Sequence, residues 1–238
     1  MKEIVKTMIE QAGYDVIHRD LKPSTQRLEE NRIESGLGDS AWLLYGLTRS
    51  MKPEVCVEIG SAQGKSACFI GAALRENGKG RLFAIDPHTE TSWNDRESVD
   101  TLPILRKNLI EAGVDSQVEI LRNTSSEAAK NWDHKIDLLF IDGDHSYDGV
   151  MRDWNLFIPH LNSFGTVIFH DTLWEYNTRS PHYRQDMGVP EFVEKLRQDG
   201  YPVITLSQDF GVSMVQQIQG GIPLHDPSGP LEGVSLPS

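Results

Sequence analysis

Residues 55–66 read Val-Cys-Val-Glu-Ile-Gly-Ser-Ala-Gln-Gly-Lys-Ser: a short apolar run, then a glycine-bounded turn that opens into a helical pattern. The run Val55–Ile59 predicts a strand and residues 65–76 the helix behind it. The same beat recurs downstream. RLFAID (81–86), QVEIL (117–121), IDLLFID (136–142) and GTVIFHD (165–171) read as strands. Helical stretches at about 101–112, 125–131 and 146–160 separate them. Upstream, a helix starts near Asp39 or Ser40, runs through AWLLYGLTRSM and stops before Pro53. Strands that alternate with helices imply a mainly parallel sheet covered on both faces.

The rhythm changes after a helix at 189–199, where YPVITL and GVSMVQQ follow each other with no helix between them. The sheet is therefore expected to finish with an antiparallel pair. The expected fold is α/β, a three-layer sandwich around a mainly parallel, Rossmann-like seven-stranded sheet. Residues 1–38 form a helical lead-in, 39–218 the ligand-binding domain and 219–238, rich in Gly, Pro and Ser, a flexible tail.

The 238 residues carry 23 Lys and Arg against 35 Asp and Glu, a formal charge of −12. That balance excludes a general binder of the nucleic-acid backbone, which needs a basic face. No apolar stretch approaches the roughly 18 residues of a membrane span. The N-terminus, MKEIVKTMIEQAGYDVI, mixes charges into a helical pattern and does not read as a signal peptide. Cys56 and Cys68 lie inside apolar runs at a spacing that fits no zinc or redox motif, so two buried reduced thiols and a cytoplasmic location are expected.

In open α/β sheets, ligands bind beyond the carboxyl ends of the strands. At the first strand end, a dinucleotide fingerprint fails because Ala62 and Lys65 stand where glycines belong. A phosphate-binding P-loop is closer, since Gly64-Lys65-Ser66 supplies its end, but Gly60 to Gly64 encloses three residues where four are needed. The third reading needs no repair. Glu58-x-Gly60-x-x-x-Gly64 resembles motif I of class I S-adenosylmethionine (SAM) methyltransferases. That resemblance implies that Glu58, Gly60, Ser61 and Gly64, with Ser66 at the helix start, hold the cofactor. Asp86 ends the second strand, 26 residues after Gly60, where a carboxylate can accept hydrogen bonds from the ribose hydroxyls of an adenosine. Thr124 or Ser125 suits a helix N-cap, with Glu127 in the first turn. By resemblance this segment borders the adenine, which makes both residues cofactor candidates.

The densest chemistry is Asp142-Gly143-Asp144-His145-Ser146-Tyr147-Asp148, at the fourth strand end. Ser146 is the expected cap of a helix that packs Val150, Trp154, Phe157 and Leu161 on the sheet. The next strand ends in His170-Asp171. Carboxylates on adjacent strand tips repel unless protonated, hydrogen-bonded or neutralised, and hard oxygen ligands with open positions suit Mg²⁺. Within 137–153, five aspartates face a single Arg152, which concentrates part of the acidity near this edge.

FIDGDHSYDGVMRDW followed by GTVIFHD resembles the small-molecule O-methyltransferase branch that includes macrocin-type methyltransferases and cephalosporin-hydroxylase-like proteins. The resemblance implies a Mg²⁺ site at Asp142, His170 and Asp171, with Asp142 also beside SAM and His145 as the base. His170 departs from the pattern, standing where a Glu is often found. The implied function is SAM-dependent methyl transfer to a hydroxyl of a small metabolite, with a sugar as one candidate. A P-loop-like NTPase and a non-catalytic SAM-binding module are the alternatives. The connections at 87–100 and 172–188 are long for this fold and could shape the acceptor pocket, with Trp174, Tyr176, His182 and Tyr183 as acceptor contacts. A homo-oligomer is left open.

Overall fold

The computed structural model describes residues 24–30, 33, 35–89, 93, 100–174 and 184–216. Among these residues the α-helices and strands follow in chain order: α1 (Ser24–Glu30), α2 (Ser40–Met51), β1 (Val55–Ile59), α3 (Lys65–Asn77), β2 (Arg81–Ile85), α4 (Leu102–Ala112), β3 (Val118–Leu121), α5 (Ser125–Ala129), β4 (Ile136–Ile141), α6 (Tyr147–Phe157), β5 (Leu161–His170), α7 (Val189–Gln198), β6 (Val203–Leu206) and β7 (Val212–Gln216). They build a seven-stranded sheet in the order β3-β2-β1-β4-β5-β7-β6. The first five strands run parallel, and β7 is antiparallel to both β5 and β6. The expected sheet is therefore the observed one. The tail 219–238 and most of the lead-in lie outside the described residues.

Two apolar cores explain why the strand segments read as continuous hydrophobic runs. Cys56, Leu138, Phe140 and Ile168 face one core with the buried sides of α2, α3 and α4. Their chain neighbours Val57, Leu139, Val167 and Phe169 face the other, with α6 and α7. Side chains alternate across a strand, so a sheet buried on both faces needs apolar residues at every position. Both cysteines are buried and unpaired, as expected.

One local expectation changes, and one helix cap comes from a distant residue. β5 begins four residues before the predicted start, because Leu161 pairs with Ile136 across an irregularity in the β4–β5 register. Leu161 therefore belongs to β5 and not to the apolar face of α6, which ends at Phe157. At α2, Asp39 makes no side-chain cap hydrogen bond. The cap comes instead from Asp209, whose carboxylate accepts from Ser40 N at 2.7 Å and Ser40 Oγ at 2.9 Å.

The register positions the site. Ile59 pairs with Ile85 on one side and Ile141 on the other, Ile85 pairs with Leu121, and Ile141 with Phe169. The residues that follow, Gly60, Asp86, Arg122, Asp142 and His170, thus emerge side by side along one edge. β1 lies between β2 and β4, where the strand order reverses and a ligand crevice is expected. Among the described residues no helix is long and apolar enough to cross a membrane.

Candidate active site

The β1–α3 loop is shaped by close backbone approach. Gly60 has φ +90°, and a Cβ there would sit 2.2 Å from the Asp142 carbonyl oxygen. Only glycine accepts both conditions. Ala62 N donates to Asp86 Oδ2 at 2.8 Å, which ties the loop to the end of β2. Asp86 Oδ1 accepts from His88 N at 2.6 Å, so the carboxylate is fixed at both oxygens before any ribose arrives. From α4, Asn108 Nδ2 donates to the Gln63 carbonyl at 2.8 Å.

Glu58 is wholly buried, and among the described residues neither carboxyl oxygen has a hydrogen-bond partner; the buried Ser61 hydroxyl has none there either. Burial pushes the Glu58 carboxyl up to about 8; the nearby Ser66 hydroxyl pulls it down, and Asp142 and Asp86 push it further up. Buried polar atoms without partners are rare and call for an explanation, an absent ligand being one. Thr124 and Ser125 have partners. Thr124 forms a capping box with Glu127. Ser125 Oγ donates to Asp153 Oδ1 at 2.6 Å.

At the β4 and β5 ends, Asp142, His170 and Asp171 bring one potential ligand atom each within 4.8 Å of the others. His170 Nδ1 lies 3.2 Å from both Asp142 Oδ1 and Asp171 Oδ1. Its Nε2 donates to the Asp209 carbonyl at 2.8 Å. His145 joins from the other side, with Nδ1 3.1 Å from Asp171 Oδ2 and Nε2 3.6 Å from Asp142 Oδ1. Burial works to raise the Asp142 carboxyl, yet His170 and then His145 hold it below the usual carboxylate range. Burial also works against a charged His145, but Asp142 and Asp171 overcome it and raise the imidazole above its ordinary value.

The remaining acids do not converge here. Asp137 sits at the opposite end of β4, accepting from Glu54 N, Val55 N and Asn162 Nδ2. Asp153 is buried against Ser125, and Asp144 organises the loop by accepting from Ser146 N, Ser146 Oγ and Arg152. The crowding of acids in sequence is therefore broader than the cluster: one β4 length divides it.

Two residues that the sequence reading did not single out stack outward from His145, Trp93 on its ring and Arg184 on Trp93. The Trp93 ring lies 5.1 Å from the imidazole, and the Arg184 guanidinium sits 3.8 Å over Trp93. Trp93 Nε1 donates to Asp144 Oδ1 at 2.9 Å. Both come from the long connections flagged as pocket-forming, which was the only signal available. Trp174 stacks on Phe210, with ring centroids 4.3 Å apart. Tyr176, His182 and Tyr183 lie outside the described residues.

Residues 57–172 match the family model described as a methyltransferase domain. The chain aligns with the SAM-bound O-methyltransferase TomG of Streptomyces achromogenes, involved in tomaymycin synthesis, at 17% identity and TM-score 0.60, covering 90% of this chain and 96% of that one. The SAH-bound methyltransferase of Podospora anserina gives 16% identity and TM-score 0.60, covering 91% and 97%. An uncharacterised protein of Sinorhizobium fredii is 29% identical over 63% of this chain but only 18% of its own length. An uncharacterised mimivirus protein is 30% identical over 48% of this chain and 50% of its own length. The chain thus spans a fifth to a half of these curated relatives. Residues 57–172 thus resemble a methyltransferase domain, and the sheet has the fold of the methyltransferases with which the chain aligns.

Proposed function

We propose that the protein transfers the methyl group of SAM to a hydroxyl oxygen of a small metabolite, a sugar being one candidate. The observation that carries the reading is the His145–Asp171 pair, set beside Asp142 at the crevice where Gly60 and Asp86 also emerge. Asp171 at Nδ1 fixes the ring, and Nε2, 3.6 Å from Asp142 Oδ1, is the nitrogen that takes a proton, the arrangement of an oriented general base. Bound SAM supplies an electrophilic methyl group. As the acceptor oxygen forms its bond to carbon and the carbon–sulfur bond breaks, His145 Nε2 receives the hydroxyl proton, giving a methyl ether and S-adenosylhomocysteine.

The residues present suit the cofactor. Glu58 and Ser61 offer buried polar atoms that lack partners, and Asp86 offers a fixed carboxylate with lone pairs left for ribose hydroxyls. Asp142, His170 and Asp171 would hold a divalent cation, which supplies Lewis-acid stabilisation to a developing alkoxide. Calorimetry with SAM, followed by a screen of hydroxylated acceptors for S-adenosylhomocysteine release, tests the reading. Tight ATP binding without any SAM signal would overturn it, and SAM binding without turnover of any acceptor would leave a binding module. His145→Gln should lower kcat by about 10²–10⁴ while SAM affinity is kept.

A further inference from the structure

His170 stands where the family pattern has an oxygen donor, and its ring orientation is fixed. Nε2 lies 2.8 Å from the Asp209 carbonyl, which can only accept, so Nε2 carries the proton. In the neutral ring, Nδ1 therefore turns its lone pair inward, 3.2 Å from Asp142 Oδ1 and from Asp171 Oδ1. A lone pair aimed at two carboxylate oxygens is repulsive unless a proton on Nδ1 or a metal cation stands among them. Asp171 is 2% exposed, and among the described residues its Oδ1, 3.2 Å from His170 Nδ1, makes no hydrogen bond. The Asp209 segment is itself anchored, because its carboxylate caps α2 through Ser40 N and Oγ. A ring N–H held by a carbonyl is the usual outer support of a metal-ligating histidine.

We propose that His170 makes this a mixed nitrogen–oxygen cation site, one that takes a first-row transition dication of the Mn²⁺, Fe²⁺, Co²⁺ or Zn²⁺ class in preference to Mg²⁺. The proposal rests on the divalent-cation reading above. Mg²⁺ favours oxygen ligands, whereas an imidazole nitrogen beside two carboxylates suits the transition ions. No change of metal oxidation state is involved.

The full chain, stripped with EDTA, is titrated by calorimetry with Co²⁺ and with Mg²⁺, as wild type and as His170→Glu. Oxygen-only sites also favour Co²⁺, so the informative quantity is the change in preference. Restoring an oxygen donor should shrink the Co²⁺:Mg²⁺ affinity ratio by about 10- to 100-fold. Spin-echo spectra of the Mn²⁺-loaded wild type should show ¹⁴N coupling from a directly bound imidazole, retained in His145→Gln and lost in His170→Glu. This reading of the wild type stands even if a variant folds poorly. An unchanged ratio, or no ¹⁴N coupling in a Mn²⁺-loaded wild type, overturns the proposal and leaves the divalent-cation reading intact. Failure of the wild type to bind either ion overturns both.

Discussion

Glu58 shows how a single residue can carry both the motif and a measurable electrostatic signature. Its carboxyl is wholly buried and pushed up to about 8, chiefly by burial. An unfolded glutamate titrates near 4.3, so between about pH 4 and 8 the folded chain holds a proton that the unfolded chain has lost. Stability is therefore fullest below that window and falls as pH rises through it, by a few kcal/mol at most. Glu58→Gln removes the titration and should flatten the curve. Denaturant melts of the cofactor-free protein should find the variant close to wild type at pH 5 and the more stable of the two at pH 9. Parallel curves would mean that Glu58 ionises freely. The motif position of Glu58 was legible in sequence. Its isolation was not, because burial depends on β2 and β4 closing over it from distant parts of the chain.

At the scale of elements, two glycines of similar appearance in sequence should behave oppositely. Gly60, between β1 and α3, combines φ +90° with a Cβ position 2.2 Å from a backbone oxygen of Asp142. Neither strand can retreat, so Gly60→Ala should destabilise the fold by about 3 kcal/mol or more and abolish SAM binding in calorimetry. Gly46, exposed within α2, has nothing within 4 Å of its Cβ position and a helical backbone. Gly46→Ala should stabilise by roughly 0.5–1 kcal/mol, read from denaturant melts. Equal effects at the two sites would contradict the geometry. The long connections follow a different logic, since Trp93 reaches His145 from one and Arg184 covers Trp93 from the other. Trp93→Ala should raise the acceptor KM by about tenfold, equivalent to ~1.4 kcal/mol, with SAM affinity unchanged. A fall in SAM affinity instead would make Trp93 part of the cofactor pocket. Sequence reading located the two connections by length, but which aromatic turns inward depends on contacts with Asp144 that spacing does not encode.

At the scale of the whole molecule, the strand-tip edge that carries His170 and helix α2 meet through the β6–β7 turn. The strand tips were legible because a parallel sheet obliges its ligand residues to follow its strands, which is how Asp86, Asp142, His145 and Asp171 came to notice. Asp209 follows no such rule. It lies in a hairpin turn with φ +48°, supplies its carboxylate to Ser40 and its carbonyl to His170, and fills the space beside Gly38, where a Cβ would meet its Oδ1 at 2.2 Å. Residues 169 apart in sequence thus share one cap, while the adjacent Asp39 makes no side-chain cap hydrogen bond. Loss of a capping side chain costs about 1 kcal/mol, and an alanine in the left-handed region adds a further penalty. Asp209→Ala should therefore cost about 2 kcal/mol in denaturant melts, and Asp209→Asn, which tolerates that backbone, about half as much. The backbone carbonyl survives in both variants, but its anchor to Ser40 does not survive in the alanine variant. His170 should then lose its fixed orientation, and divalent-cation affinity should weaken more in Asp209→Ala than in Asp209→Asn. If both variants bind cations as the wild type does while losing stability, the hairpin holds the helix but not the histidine, and the two halves of the link act independently.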